Sequence, residues 1–333
     1  MTEPRFLVLR LGSLGDIVHT FPAVSGLRNS FPNAEIIWLT HPKWEFIVKS
    51  SAFMSEVWTV DTRDWSSLRG ILNRIRQHRF DTAIDYQGLW KSAAIPLLAR
   101  IPRRIGFSSE TVRETGVSWL YTERVRVASG QHIADQNGEL SLRAGASPAI
   151  GDVNLQVAGE DEKIVRARLA TEGIDDYVVL SPGGGWRSKC WPAERYGSLA
   201  LKIFQNFSLR SVINLGPGED DLAEAVMRSA GPAQPMSFSG SLGHLLALLK
   251  NASAVVAGDT GPLHLADALG SRVVAIFGPT DPKRNGLYGK SGIVLRWEGA
   301  ARTHKRNLQT DESLLHITVD EVLEALRSLR EAA

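Results

Sequence analysis

Short apolar runs rich in β-branched residues alternate along the chain with longer amphipathic stretches. The stretch 66–78 is predicted to be helical because Leu68, Ile71, Leu72 and Ile75 have the spacing of one helix face. Strands that alternate with helices are typical of a parallel, doubly wound sheet. In the first part of the chain, strands are predicted over 6–11, 35–39 and 82–86, and helices over 17–29, 66–78 and 91–98.

The same alternation restarts near residue 160, after the segment 147–152, which contains one proline and one glycine and breaks the pattern. Strands are then predicted over 177–180, 211–215, 254–257 and 273–277, and helices over 160–169, 193–204, 220–229, 242–249, 262–269 and 318–330. We therefore expect an α/β protein with two Rossmann-like, doubly wound domains facing a central cleft, since such sheets bind ligands beyond the carboxyl ends of their strands. The expected bounds are 1–155 and 156–315, followed by a C-terminal helix in 316–333 for which packing back toward the N-terminal domain is one option.

Composition agrees with this division. A chain of 333 residues is longer than a domain with a single hydrophobic core usually is, so two domains are expected. No apolar run of about 18 residues is present, so no membrane-spanning helix is expected. The first ten residues lack the pattern of a secretory signal, and the single cysteine, Cys190, fits a reducing compartment. We expect a cytoplasmic protein.

The charge is unevenly distributed. Residues 1–150 hold 18 Lys and Arg against 14 Asp and Glu, whereas residues 151–333 hold 20 against 22. Two interpretations of the basic stretch stay open: a solvated helix face, or a surface for an anionic partner such as a phosphorylated acceptor or a membrane. Nucleic acid is not expected, because the charge is not accompanied by a recognisable nucleic-acid-binding motif in which basic and aromatic residues alternate. The stretch contains Arg63, Arg69, Arg74, Arg76, Arg79, Lys91, Arg100, Arg103, Arg104 and Arg113.

The first candidate motif is the segment 10–20, where a strand ends, two glycines follow and a helix begins near Asp16. Aspartate favours helix starts, so Asp16 has a structural interpretation as a cap. The functional interpretation is a general base whose carboxylate the helix N-terminus keeps ionised. Gly12 and Gly15 would let an acceptor come close to it.

The second motif is the segment 181–192, in which three consecutive glycines, 183–185, follow a strand. Their backbone N–H groups can hold phosphate, and Arg187 and Lys189 supply positive charge. A purely structural loop is the alternative. The motif is not a Walker P-loop, because the Gly-Lys-Ser/Thr ending is absent.

The third motif is the segment 258–264, where a strand ends and a helix opens with Pro262. The free N–H groups of that helix start predict an anion site, to which Thr260 adds a hydroxyl donor. Asp259 would repel a diphosphate, so we expect it to organise the loop, and we expect His264 on the ligand side. The turn 277–282 would form a pocket wall, and Glu219 could accept hydrogen bonds from a ribose, although a surface turn fits both segments as well.

Several classes of site are excluded by pattern. No cluster has metal-ligand spacing, and the Gly-x-Ser-x-Gly elbow of hydrolases is absent. The glycines of the first motif lack the third member of the dinucleotide fingerprint, which disfavours a dehydrogenase. We expect no cofactor and no metal, so cationic side chains and helix termini would neutralise phosphate.

Taken together, the motifs resemble the ADP-heptose:lipopolysaccharide heptosyltransferases, glycosyltransferase family 9. The resemblance covers nearly the whole chain and is closest to the heptosyltransferase I group, which adds the first heptose to the Kdo of Kdo2-lipid A. It implies a GT-B fold, inversion at the anomeric carbon and no required metal. The segments that carry the resemblance are 12–23, 85–92, 258–264 and 277–282.

The resemblance also implies roles for individual residues. Asp16 is similar to the family's catalytic base and Lys189 to its phosphate-binding lysine, and an anionic Kdo-lipid A acceptor at the cytoplasmic face of the inner membrane is implied. The donor side would comprise Gly184, Gly185, Arg187, Ser188, Glu219, Asp259, Thr260, Gly261 and His264. The acceptor side would comprise Ser13, Gly15, Arg63, Gln87, Lys91 and Arg113.

Three other functions remain as alternatives. The glycine loop before Lys189 differs from the threonine-rich sequence expected in heptosyltransferase I, so a family 9 enzyme with another nucleotide-sugar donor is one. A nucleotide-sugar epimerase shares the two-domain build but would leave the basic first half without a role. A non-catalytic nucleotide or sugar sensor is the third, and the pairing of a candidate base with a candidate phosphate lysine disfavours it.

Overall fold

A computed structural model describes residues 3–112, 114–148, 153–289, 291–302 and 309–331. The chain divides into two compact units, Met1–Gln156 and Val157–Ala333. Residues 149–152 of the expected boundary segment lie outside the described residues, as does Arg113. Each unit is described separately below.

The first unit is built on one parallel sheet in the strand order β3-β2-β1-β4-β5-β6. The order reverses at β1, whose Phe6 lies opposite both Ile36 of β2 and Thr82 of β4. The strands are β1 Arg5–Leu9, β2 Glu35–Thr40, β3 Glu56–Thr59, β4 Thr82–Asp85, β5 Arg103–Phe107 and β6 Glu123–Val125. The helices are α1 Leu14–Val18, α2 Phe21–Ser30, α3 Glu45–Lys49, α4 Trp65–His78, α5 Trp90–Leu98 and α6 Ile133–Arg143, with 3₁₀ helices at Pro42–Trp44 and Val117–Leu120.

Alternate residues of these strands pack on opposite sides of the sheet. Leu7 and Leu9 of β1 lie in one apolar cluster with Ile71 of α4 and Ile95 of α5, so α4 and α5 cover the same face. On the opposite face α2 packs against α6, and the Phe21 ring of α2 lies 5.5 Å from the Trp38 ring of β2.

The helix predicted over 17–29 is divided into α1 and α2. Pro22 explains the break, because a proline ring clashes with the carbonyl four residues earlier, here that of Val18. Val18 is the last residue of α1, and α2 restarts with Pro22 in its first turn. The shorter α1 leaves Asp16 in the first turn of a separate five-residue helix.

The second unit repeats the plan with the strand order β12-β11-β10-β7-β8-β9. Its strands are β7 Tyr177–Ser181, β8 Arg210–Asn214, β9 Met236–Phe238, β10 Ala254–Gly258, β11 Val273–Phe277 and β12 Gly292–Arg296. Its helices are α7 Gly159–Thr171, α8 Ala193–Phe207, α9 Asp220–Ala230, α10 Leu242–Lys250, α11 Gly261–Ala268, α12 Pro282–Asn285, α13 Glu312–Leu315 and α14 Val319–Glu331. Short 3₁₀ helices occupy Arg187–Lys189 and Gly231–Ala233.

The C-terminal helix α14 packs on α8, β11 and β12 of the second unit. Its Val322 and Leu326 are buried in the same cluster as Trp191. The segment before it is held by hydrogen bonds, since the Trp191 indole N–H and an Arg195 guanidinium N–H both donate to the Ile317 carbonyl oxygen. The expectation that this helix also reaches back toward the first domain stays a prediction.

Candidate functional site

Asp16 lies just beyond the carboxyl end of β1. Its Oδ1 atom is 2.7 Å from Nη2 of Arg10, and its Oδ2 atom accepts hydrogen bonds from the backbone N–H and the hydroxyl of Ser13. The contact with the Ser13 backbone is that of a helix cap, so Asp16 does cap the start of α1, as in its structural interpretation. The side chain is 33% exposed, however, and is therefore also open to a ligand.

Arg10 was not singled out from the sequence, although it holds Asp16. Its side chain is only 7% exposed, and Nη1 donates to the carbonyl oxygen of Tyr86 at the end of β4. Gln87 completes the link, because its Oε1 accepts the backbone N–H of Leu11 at 2.6 Å. The ends of the neighbouring strands β1 and β4 are thus tied together around the Asp16 carboxylate.

The environment of Asp16 keeps it ionised. Burial by itself raises its pKa, but the Arg10 guanidinium and the hydrogen bonds from Ser13 outweigh burial and lower the pKa to about 2. Gly12, just before this turn, has φ of +147°, and a Cβ there would lie 2.8 Å from the Trp44 indole nitrogen. Only glycine suits that backbone path.

A second carboxylate, Asp85, was also missed and is fully buried at the end of β4. It accepts hydrogen bonds from the Tyr121 hydroxyl at 2.7 Å, the Ser92 hydroxyl at 2.9 Å and the backbone N–H of Gln87 at 2.9 Å. Burial outweighs these hydrogen bonds and raises the pKa of Asp85, whereas the pKa of Asp16 is lowered. Asp85 therefore fixes the loop that presents Gln87.

The other predicted acceptor residues are placed as follows. Ser13 is exposed at the start of α1, and Gly15 lies within α1, so both share the immediate surroundings of Asp16. Arg63 and Lys91 are exposed, the first before α4 and the second in the first turn of α5. Arg113 lies outside the described residues.

In the second unit, Lys189 and His264 meet at Asp259. Lys189 Nζ is 2.5 Å from Asp259 Oδ2, and His264 Nε2 is 3.1 Å from Oδ1. Burial by itself raises the pKa of Asp259, but the bonds and charges of His264 and Lys189 hold it well below its usual range. Because an ionised carboxylate only accepts hydrogen bonds, His264 Nε2 carries the proton of this contact. Asp259 thus joins Lys189 and His264 in one buried cluster, and its role toward a donor stays a prediction.

The glycine loop 183–185 packs against two other predicted donor residues. A Cβ on Gly183 would lie 2.1 Å from Oε1 of Glu219, and a Cβ on Gly184 would lie 3.3 Å from Cγ2 of Thr260 and 2.9 Å from Sγ of Cys190. Larger residues would push these groups apart. Glu219 itself accepts the Gly216 backbone N–H at 2.7 Å.

Hydroxyl and cationic groups around this loop differ in exposure. Arg187 is exposed, whereas the side chain of Ser188 is buried. The hydroxyl of Thr260 is buried and has no hydrogen-bond partner within the part of the chain that the structure describes. Gly261 opens α11 directly after Thr260, and the free N–H groups of this helix start point away from the helix body.

The loops just described lie beyond the carboxyl ends of β7, β8 and β10 in a doubly wound sheet, which is the usual position of nucleotide sites. The sequence pattern of glycosyltransferase family 9 (heptosyltransferase) matches residues 68–316. The chain belongs to glycosyltransferase family 9. The resemblance inferred from the sequence motifs is therefore confirmed, and so is the assignment as a glycosyltransferase.

Relatives of this family 9 glycosyltransferase match over most of its length. Lipopolysaccharide heptosyltransferase 1 of Escherichia coli K12 is 27% identical over 340 residues, covering 98% of this chain and all of the relative. The protein of the same name from Pseudomonas aeruginosa is 28% identical over 308 residues, covering 87% of this chain and 83% of the relative.

Solved structures agree on the fold of the family 9 enzyme. E. coli heptosyltransferase WaaC with ADP has a TM-score of 0.79 at 26% identity, covering 98% of this chain and 99% of that one. E. coli heptosyltransferase II has a TM-score of 0.83 at 21% identity, covering 99% and 100%. The expected GT-B fold with two Rossmann-like domains is confirmed.

Among the helices that the structure describes, none has the length and apolar character needed to cross a membrane. Nor do the described residues gather three or more His, Cys, Asp or Glu side chains into a group suited to a metal ion.

Proposed function

We propose that this protein transfers a heptose from ADP-heptose to the Kdo of the lipid A inner core of lipopolysaccharide, with inversion. The observation that carries the proposal is the meeting of Lys189, Asp259, His264 and the glycine loop 183–185 at the carboxyl edge of the second sheet. Structures of E. coli WaaC with ADP and with ADP-2-deoxy-2-fluoro heptose, 26% identical to this chain, support ADP-heptose as the donor.

The second unit would hold the diphosphate of the donor. Lys189 has three ammonium protons and donates one to Asp259, which would leave two for phosphate oxygens. The N–H groups of Gly184, Gly185 and Gly261, the Thr260 hydroxyl and the exposed Arg187 would add further donors. Asp259 and His264 are buried and would act by fixing Lys189. Ser188 is buried as well and would support the loop, while Glu219 would accept hydrogen bonds from the ribose.

Asp16 would act as the general base. Its two oxygens can accept about four hydrogen bonds, and Arg10 and Ser13 supply three, so one position on Oδ1 stays open for an acceptor hydroxyl. As the acceptor oxygen bonds to the anomeric carbon, the bond from that carbon to the diphosphate breaks. The hydroxyl proton passes to Asp16, and ADP leaves with its charge stabilised by Lys189 and the loop amides.

The acceptor side belongs to the first unit in this proposal. Ser13, Gly15 and Gln87 lie around Asp16, and the cations Arg63, Lys91 and Arg113 would attract the carboxylate and phosphate groups of an anionic acceptor. Because such an acceptor is anchored in lipid, the enzyme would work peripherally at the cytoplasmic face of the inner membrane.

The proposal is tested by binding and by transfer. Thermal shift with ADP, UDP, GDP and their sugars should favour ADP, and a UDP or GDP preference would instead support a family 9 enzyme with another donor. ADP-heptose and Kdo2-lipid A should then give a heptosylated lipid. Incubating the donor without acceptor is the control, because an epimerised sugar in that sample would identify an epimerase.

A further inference from the structure

The outward side of α5 is unusually apolar for an exposed helix. Trp90, Leu97 and Leu98 are 46%, 38% and 49% exposed, and Lys91 beside them is the charged member of this side. These positions have the spacing of one helix face, opposite the buried Ser92 and Pro96. A surface helix normally presents polar side chains there.

The neighbouring helix α4 extends this surface with aromatic and basic side chains. Trp65, at its first position, is 74% exposed, and Arg69 and Arg76 are also exposed. The two helices are adjacent, since Nη2 of Arg76 donates to the Leu98 carbonyl oxygen at 3.0 Å. The outward residues Trp65, Arg69, Arg76, Trp90, Leu97 and Leu98 are called the α4–α5 face below.

The α4–α5 face also lacks negative charge. Neither α4 nor α5 contains Asp or Glu, whereas the exposed helices α7 and α14 mix both signs. Two acids that contact the starts of these helices are engaged there: Asp64 accepts the backbone N–H of Ser66, and Glu114 accepts that of Trp90. The face therefore offers aromatic, aliphatic and cationic groups, which is a combination complementary to an anionic lipid surface.

We infer that the α4–α5 face docks the first unit on the surface of a bilayer that contains anionic phospholipid. Trp65 and Trp90 would lie at the level of the headgroups, Leu97 and Leu98 would enter the boundary with the acyl chains, and Arg69 and Arg76 would contact lipid phosphates. The inference rests on the proposed function in one respect, since a lipid-anchored acceptor gives the docked enzyme its substrate.

Vesicle flotation of the full-length protein tests the docking. Protein should float with vesicles of phosphatidylcholine and phosphatidylglycerol, and at least tenfold more weakly with phosphatidylcholine alone. Equal binding to the two vesicle types, or no flotation with either, would overturn the inference. A protein partner in place of a membrane would give this last result.

Paired variants locate the contact. The double variant Arg69→Gln/Arg76→Gln should bind the mixed vesicles about thirtyfold more weakly than the wild type. Adding Trp65→Ser to this double variant should weaken binding further. The matched control is Lys163→Gln/Arg166→Gln on α7, which removes the same charge from exposed positions of the second unit. Phe204→Ser is the control for the lost aromatic ring, because Phe204 is 40% exposed on α8. Equal losses in test and control variants would contradict the assignment to this face.

Two further measurements keep the outcomes separate. Thermal unfolding should give all variants the wild-type midpoint, so that weaker flotation is not attributed to unfolding. Transfer to a water-soluble Kdo acceptor should be unchanged in Arg69→Gln/Arg76→Gln, because neither residue belongs to the site. If no variant or wild type transfers heptose but face-dependent flotation persists, the proposed function fails while the docking surface stands.

Discussion

At Asp16 the carboxylate has two neighbours that act on its proton affinity in the same direction. Arg10 pairs with Oδ1 and Ser13 donates twice to Oδ2, and both interactions favour the ionised form. A pKa of about 2 makes Asp16 a weak base toward a free hydroxyl. Such a weak base suits a reaction in which the bond between the sugar and the diphosphate breaks early, because the attacking acceptor hydroxyl then becomes more acidic.

Replacing Asp16 by Asn should separate chemistry from binding. Asn cannot take the hydroxyl proton, so we expect kcat to fall about 10²- to 10⁴-fold, while the affinity for ADP, held by the second unit, stays within about twofold. Steady-state kinetics and calorimetry measure the two quantities. A variant with wild-type turnover would remove Asp16 from the role of base.

Arg10 should control the pH at which Asp16 works. Without the guanidinium, as in Arg10→Met, burial acts against ionisation and the pKa of Asp16 rises, so the acid limb of kcat/KM moves to higher pH. In the wild type the ion pair contributes stability that is complete above the ordinary value of 3.8 and is lost as pH falls toward about 2. Arg28→Met, which removes another arginine of the first unit, should leave the acid limb in place.

Lys189 should contribute to ADP affinity through charge-assisted hydrogen bonds. Lys189→Ala is expected to raise the Kd for ADP about 10- to 100-fold, measured by calorimetry. Because that change leaves Asp259 buried without its cation, the double variant Lys189→Met/Asp259→Asn is the control. If the double variant binds ADP as the wild type does, Lys189 has no role in phosphate binding.

At the scale of elements, the loop between β4 and α5 depends on one buried carboxylate. Asp85 is the acceptor for groups from three places: the Tyr121 hydroxyl after the 3₁₀ helix Val117–Leu120, Ser92 of α5 and the loop backbone at Gln87. The loop in turn holds the end of β1 through Gln87 and Leu11. A substitution at Asp85 or Tyr121, far from Asp16 in sequence, can therefore alter the position of Asp16 through this series of hydrogen bonds.

Tyr121→Phe should destabilise the first unit by about 1.5–3 kcal/mol, since it removes a hydrogen bond to a buried carboxyl group. Tyr177→Phe in the second unit is the comparison, because its hydroxyl donates to a neutral carbonyl and is expected to cost about 1 kcal/mol. Urea unfolding measures both. A smaller loss for Tyr121→Phe than for Tyr177→Phe would contradict the central position given to Asp85.

The pattern of apolar residues predicted most of the sheet and helix positions but not all of them. The central strands β1, β7 and β10 were found because each contains a continuous apolar run. The strand β5 was missed, since Arg103, Arg104 and Gly106 interrupt its apolar character. Its arginines are accommodated by Glu123 and by the carbonyl oxygen of Leu120, partners that only the folded chain supplies.

The sequence predicted which loops form the candidate site, but it did not predict which side chains contact one another there. Glycines after strands marked the loops, because that spacing is local. The contact of Lys189 with Asp259 joins residues 70 positions apart, and that of Arg10 with Tyr86 joins residues 76 apart, so both depend on strand order. Arg10 itself looked like the polar end of a strand, and nothing local marked it as the partner of Asp16.

For the whole molecule, the two sheets have separate cores, and the proposed donor contacts belong to one of them. ADP at about 100 times its Kd should stabilise the second unit by about 2.7 kcal/mol. Hydrogen exchange should therefore slow in β7 and β10, while β1 and β4 change little. Equal protection of both sheets would mean that the two units unfold as one cooperative body.

The thiol of Cys190 offers a chemical probe of the glycine loop 183–185. It is the single cysteine of the chain, it packs behind Gly184, and burial together with the charge of Glu219 raises the pKa of the thiol. Alkylation is therefore slow at neutral pH. Once attached, an alkyl group needs the space that the glycine loop occupies. If the glycine loop binds the donor as proposed, alkylated protein should not bind ADP, and the mass of the intact chain gives the alkylated fraction.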